Sequence, residues 1–446
     1  MNKRLKYKGL FFKVLLLIIF YFLDFAMSSS GNISMKISLR SENIIPISNS
    51  ISNKLSDIED FEELEAGITR LMEKFDIKGA SIAVAKNGRL VFAKGIGYAD
   101  YEASEPVEPR HMFRVASVSK LITAITIIKM SELKLINLDD KVFGEDGILN
   151  DSIFLKYVDP RVEKITIRHL LDHSGGWSRR FGDHMFMTQH IAREMKTDPP
   201  VEVSDIIQFA LSKRLHFEPG SLISYSNLGY SILGEVIENI SGLDYKDYVR
   251  QLILYPLGIQ EMRIGRNLEC QRFDNEVKYY EQPNAFKVSS IYDINEMVPK
   301  TYGGNDIETL GAAGGWIASP SEILRLIVAI DGFSSFPDIL SPESIELMTG
   351  AGLPQSNAIG WTGCDTNDNW WRTGTFAGTS ALVKRQNNDL SWAVFFNSST
   401  YRGTTLSREI NHRVQAALNR IENWPEHDLF YHFEALPFYP DIAELK

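Results

Sequence analysis

The sequence is poor in cysteine: Cys270 and Cys364 are the only two thiols in 446 residues. They allow one disulfide at most, so the fold rests on a buried core rather than on a disulfide framework. Cationic side chains are outnumbered, 47 Lys and Arg against 57 Asp and Glu, a net charge of -10 at pH 7. That balance argues against nucleic acid or an anionic membrane surface as partner. The sequence shows no internal repeat, no heptad series and no Gly-x-Ser-x-Gly, which removes solenoids, coiled coils and the nucleophile elbow of α/β-hydrolases. His169 and His173 stand four apart. Leu170 occupies the place of the glutamate in the zinc-protease motif, so the pair points to packing or turn roles and no metal is expected.

What remains is the composition of a soluble globular chain, 44% hydrophobic and 23% charged. The amino terminus carries Lys3, Arg4, Lys6, Lys8 and Lys13 ahead of an apolar run from Val14 to Leu23, short of the roughly 20 residues that span a bilayer. Small residues follow at Ala26 and Ser28, so residues 1–28 read as an export signal and the protein as periplasmic or secreted. Residues 29–57 are serine-rich and aperiodic, the pattern of a tether. Residues 58–424 read as one folded domain, and 425–446 as a tail without clear period.

Within that domain Leu64, Ile68, Leu71 and Phe75 follow helical spacing. Two strands flank Asn87-Gly88, a strong hairpin signal. A largely helical block spans about 113–300, with helices near 167–171, 203–211, 228–240 and 245–252. Ser319-Pro320 opens a further helix. A second hairpin crosses Asn387-Asn388-Asp389, and a last helix aligns Leu406, Ile410, Val414 and Leu418. Strands grouped apart from helices argue an α+β fold.

Three stretches carry chemistry. Ser117 and Lys120, three apart, share a helix face at the start of an apolar helix, which sets an amine beside a weak nucleophile. Ser131 and Lys134 repeat that spacing without the same flanks. Tyr225-Ser226-Asn227 precedes a helix, where Asn227 also suits a cap. Arg372-Thr373-Gly374-Thr375 puts a cation beside a glycine ahead of a strand, suited to an anionic group approaching the backbone.

With these motifs in this order, the chain resembles the class C β-lactamase and penicillin-binding-protein-like serine hydrolases, whose motifs are Ser-x-x-Lys, Tyr-x-Asn and Lys-Thr-Gly or His-x-Gly. The likeness extends to Ile165–Gly176 and Gly311–Trp316 and covers about 60–420. It implies a β-lactamase/transpeptidase-like fold: an antiparallel sheet flanked by the terminal helices, with a helical domain inserted. It implies that Ser117 forms an acyl-enzyme, that Lys120 and Tyr225 share the proton work, and that Asn227 orients substrate. The amides of Ser117 and Thr375 would then form the oxyanion hole. Which of Lys120 and Tyr225 is the base stays open. Arg372 departs from the family's lysine or histidine, and its planar fork suggests a grip on a substrate carboxylate with no part in proton transfer. The expected substrates are esters, small amides, D-amino-acid peptides, β-lactams or cell-wall fragments, with no cofactor. The alternative is a binding or scaffold protein of the same fold without turnover.

Overall fold

The computed structural model describes residues 47, 50–350 and 358–432. The expected export signal and most of the tether lie outside these residues. Among the described residues no helix is long and apolar enough to cross a membrane.

Helix α1 (Glu62–Phe75) buries Leu64, Ile68, Leu71 and Met72 along one face. Strands β1 (Gly79–Lys86) and β2 (Arg89–Asp100) follow, joined by Asn87 and Gly88 at φ 51° and 72°. Two left-handed residues are what a two-residue hairpin requires. After β3 (Glu105–Pro106) and β4 (Phe113–Arg114) comes α2 (Ser119–Glu132), largely apolar and buried at every position from Ser119 to Ile128. The helical block continues through α3 (Ile167–Leu171), α4 (Thr188–Met195), α5 (Val203–Leu211), α6 (Asn227–Ser241) and α7 (Tyr245–Val249). Then come β5 (Arg263–Ile264), β6 (Val288–Ser289), β7 (Met297–Val298), α8 (Ile307–Gly314), β8 (Trp316–Ala318) and α9 (Pro320–Val328). The last elements are α10 (Pro342–Thr349), β9 (Gly363–Cys364), β10 (Trp370–Phe376), β11 (Thr379–Gln386), β12 (Leu390–Phe396) and α11 (Leu406–Leu418).

The main sheet runs β3-β2-β1-β12-β11-β10-β9, with antiparallel neighbours throughout. Side chains alternate across a strand, and here both faces are covered. Ile82, Val84, Trp392, Val394 and Phe396 pack beneath α1 and α11. Ala83, Ala85, Ala93, Ala393 and Phe395 join the core shared with α2 and α9. Burial on both faces explains why β1 and β12 are apolar at nearly every position. The α+β antiparallel architecture expected from the sequence is the one observed.

Several boundaries differ from expectation. β4 pairs with β8, which pairs in turn with β5, so the inserted helical block closes near Ala318 rather than at 300. Residues 50–57 are not a free tether: Ile51 and Ser56 are buried, and Asn53 holds the backbone of Gly95 and Val107 with its amide. Of the expected tail, residues 425–432 also join the body. Leu429 and Phe430 are buried, and Asp428 accepts the amide of Leu90. Arg372 to Thr375 lie inside β10 instead of preceding a strand, because Trp370 and Trp371 pair back to β9 and Lys384–Arg385. Cys270 and Cys364 are both free.

Candidate active site

Ser117 sits in a short 3-10 turn, Ala116–Val118, just ahead of α2 instead of on the helix itself. Ala116 is forced to φ 48°, a left-handed backbone that a non-glycine residue adopts at a cost. The turn is pinned by its surroundings. Gly374 on β10 lies so close that a Cβ there would stand 2.1 Å from the Val115 carbonyl and 3.1 Å from the Ser117 amide. Only glycine fits that approach, which brings the backbone of β10 to the nucleophile.

The Ser117 Oγ and the Tyr225 hydroxyl are 2.7 Å apart. Lys120 is fully buried one turn along. Its Nζ donates to Asn227 Oδ1 at 2.6 Å and to the Ala313 carbonyl, with Ser117 Oγ at 3.5 Å. An amide oxygen and a carbonyl accept and do not donate, so this surrounding suits an ammonium with its three donors. Asn227, which suited a cap in the sequence, is not the helix cap. Ser226 is the residue that caps α6, accepting the Gly229 amide, while the Asn227 Nδ2 donates to Asp183 at 2.6 Å.

Charge and burial pull the protons in opposite directions. Burial would raise the Tyr225 hydroxyl, but the positive charges of Lys120 and Arg372 and hydrogen bonds from Lys120 and Ser117 bring it down to about 8. Burial lowers Lys120, which the charge of Tyr225 counteracts. His173, turned at φ 64°, sets its ring 4.6 Å from that of Tyr225. Burial, then the charges of Lys120 and Arg372, hold it well below the usual histidine range. It is thus a neutral imidazole whose Nδ1 accepts the Ser226 amide at 3.2 Å. His169, by contrast, closes a capping box with Thr166 at the start of α3.

Arg372, expected to grip a substrate carboxylate, is also engaged within the protein. Only 2% exposed, it donates from Nε to the Ser117 carbonyl at 2.7 Å, and its Nη2 lies 3.4 Å from the Tyr225 hydroxyl. Part of the fork is spent on the nucleophile's own turn, and its charge acts on the tyrosine.

These groups open into a cleft of about 380 Å³ whose wall includes Ser117, Tyr225, Asn227, Arg372 and Thr375, with Phe186, Trp361 and Phe376 as its apolar part. Sequence reasoning brought Ser117, Lys120, Tyr225, Asn227, Arg372, Gly374 and Thr375 to one place. It missed Arg179, whose guanidinium stands 5.4 Å from the Tyr225 ring centre, and Asp183. Their contacts arise from tertiary folding across distant segments, and no local pattern marks them. The Ala313 carbonyl lies in the Gly311–Trp316 stretch the likeness covered, though its bond to Lys120 was not foreseen.

The family model described as Beta-lactamase matches residues 64–416. Penicillin-binding protein 4* of Bacillus subtilis (strain 168) is 30% identical over 217 residues, 48% of this chain and 44% of that protein. Protein flp of Staphylococcus aureus (strain MRSA252) is 24% identical over 62% of this chain and 59% of its own, so the chain spans only part of these relatives. Among solved structures, an octameric penicillin-binding protein homologue from Pyrococcus abyssi aligns at TM-score 0.61 and 25% identity, covering 82% of this chain and 79% of that one. A D-amino acid amidase from Ochrobactrum anthropi SV3 aligns at TM-score 0.62 and 19% identity, over 82% and 99%. The match across the body of the chain, with the shared β-lactamase/transpeptidase fold, makes this protein a member of the Beta-lactamase family, a family of serine hydrolases.

Proposed function

We propose that the protein is an exported hydrolase that forms an acyl-enzyme on Ser117 and acts on small amides or esters, D-amino-acid peptides among them. The observation that carries this reading is the 2.7 Å contact between Ser117 Oγ and a tyrosine hydroxyl brought down to about 8. A serine hydroxyl needs a base in reach and a base poised near the working pH. With Lys120 facing two acceptors as an ammonium, Tyr225 takes the base role: it receives the Ser117 proton as Oγ attacks the carbonyl carbon. The same proton then passes to the leaving amine or alcohol. In deacylation, a water takes the leaving group's place and Tyr225 acts again. The amides of Ser117 and Thr375 are the oxyanion donors in this scheme, and two such donors aimed at developing charge are worth orders of magnitude in rate. Export rests on the lysine-rich start followed by a short apolar run. D-amino-acid substrates rest on the likeness to an amidase described for them.

The test is covalent labelling. Protein treated with a fluorophosphonate probe should carry one adduct, mapped to Ser117 by peptide mass. It should also release product from D-phenylalanine amide or a p-nitrophenyl ester. An adduct on Ser131, or ester hydrolysis undiminished in Ser117→Ala, would remove the reading. Stoichiometric binding of such compounds with no product released would favour the scaffold alternative.

A further inference from the structure

A second cleft, of about 420 Å³, is walled in part by Gly311 and Ala312 of α8. The same short segment serves the Ser117 site, since the carbonyls of Ala312 and Ala313 accept from Thr123 and Lys120 on α2. Most charges along this second cleft are already matched: Lys246 pairs with Asp244, Arg266 with Glu308 and Arg263 with Glu261. Glu238 accepts the Tyr245 amide, and three groups make neither a hydrogen bond nor an ion pair among the described residues. Ser231, 3% exposed, has a buried hydroxyl with no hydrogen-bond partner. Arg250 has a buried Nε without a partner, and among the described residues its guanidinium meets only the Tyr255 ring, at 5.2 Å. Glu235 makes no ion pair among the described residues, and burial together with Glu238 and Glu202 pushes its carboxyl up to about 7. Buried polar groups left unmatched are destabilising and rare in folded proteins. Gathered around one cavity that also exposes Phe273 and Ile264, they match the few convergent polar groups of a ligand pocket.

We propose that this cleft is a second ligand site, for an amino-acid-like zwitterion whose ammonium meets Glu235 and Ser231, whose carboxylate meets Arg250, and whose apolar side chain lies against Phe273. The ligand then also touches Gly311, where the helix breaks to φ 24° and ψ -103° and where an added Cβ would meet open space. Occupancy acts on the segment that holds Lys120, so binding and hydrolysis are coupled.

Calorimetric titration with D-phenylalanine tests the site, alongside phenethylamine, which lacks the carboxylate, and 3-phenylpropionate, which lacks the ammonium. D-phenylalanine should bind the wild type and the Ser117-phosphonylated protein alike. Each truncated probe, and each of Glu235→Gln and Arg250→Gln, should lose about tenfold or more in affinity, the scale of one charged contact. D-phenylalanine should also change kcat for a neutral ester in the wild type but not in Glu235→Gln, each compared with its own rate without ligand. Binding unchanged in both variants, equal binding of all three probes, or no binding at millimolar concentration would overturn the site. An unchanged kcat at saturation would overturn the coupling. Because the adduct on Ser117 is read separately by mass, failure of the hydrolase reading and failure of this site remain distinguishable.

Discussion

Tyr225 is the residue on which the chemistry turns, and the charges of Lys120 and Arg372 set its behaviour. Tyr225→Phe removes the base and keeps the ring. It should lower kcat by about 10²-fold or more, in the range of general acid–base groups, with KM nearly unchanged. A loss of stability with kcat intact would instead reduce the tyrosine to a packing residue. The pH profile gives a second test. The working form is the tyrosinate, which is depleted as protons are added, so kcat/KM should rise with pH and level off above about 8. That apparent value belongs to the Lys120–Tyr225 pair, since the two sites interact strongly. Arg372→Gln takes away one of the charges that lower it, so the rising limb should move to higher pH. A limb that stays in place, with KM for anionic substrates raised, would return Arg372 to substrate binding.

Among the elements, β10 and the turn at Ala116–Val118 form the most constrained contact. Gly374→Ala would drive a methyl into the Val115 carbonyl, 2.1 Å away, so β10 must shift from the nucleophile. Acylation by a fluorophosphonate should slow by about 10²-fold or more, the cost of losing an oxyanion donor. Labelling at the wild-type rate would show that the strand can yield. Elements with a local cause were legible in the sequence. Asn87-Gly88 specified its hairpin, Ser319-Pro320 specified a capped helix, and the largely apolar run 121–128 specified burial. Elements with a non-local cause were not. Helix α8 breaks at Gly311, and Ile307 to Gly314 shows no clear apolar period, because it lies between α2 and α6 and is shaped by both. The site divides in the same way. Its three motifs are short and continuous in sequence, whereas the Asp183 to Asn227 bond and the Ala313 to Lys120 bond join segments far apart in it.

For the whole molecule, the described end of the chain is part of the core. Phe430 is fully buried against Arg325 and the neighbouring core, so Phe430→Ala should destabilise the protein by about 3–5 kcal/mol in denaturant unfolding. A change within error would mean that residues 425–432 are appended to the body without supporting it. The main sheet has a consequence of its own. β1 pairs with β12, and the Gly79 amide donates to Asn397, 318 positions on. A ribosome adding about 5–20 residues each second makes that partner roughly 15–60 s after β1. Throughout that interval the β1 edge is unpaired, and such an edge invites association with other chains. The hypothesis is that synthesis of the helical block is this protein's period of greatest exposure to aggregation. Nascent chains stalled between β2 and β12 should be cut by protease within β1, and completed chains should resist; resistance in the stalled chains would mean that the first hairpin is stable alone.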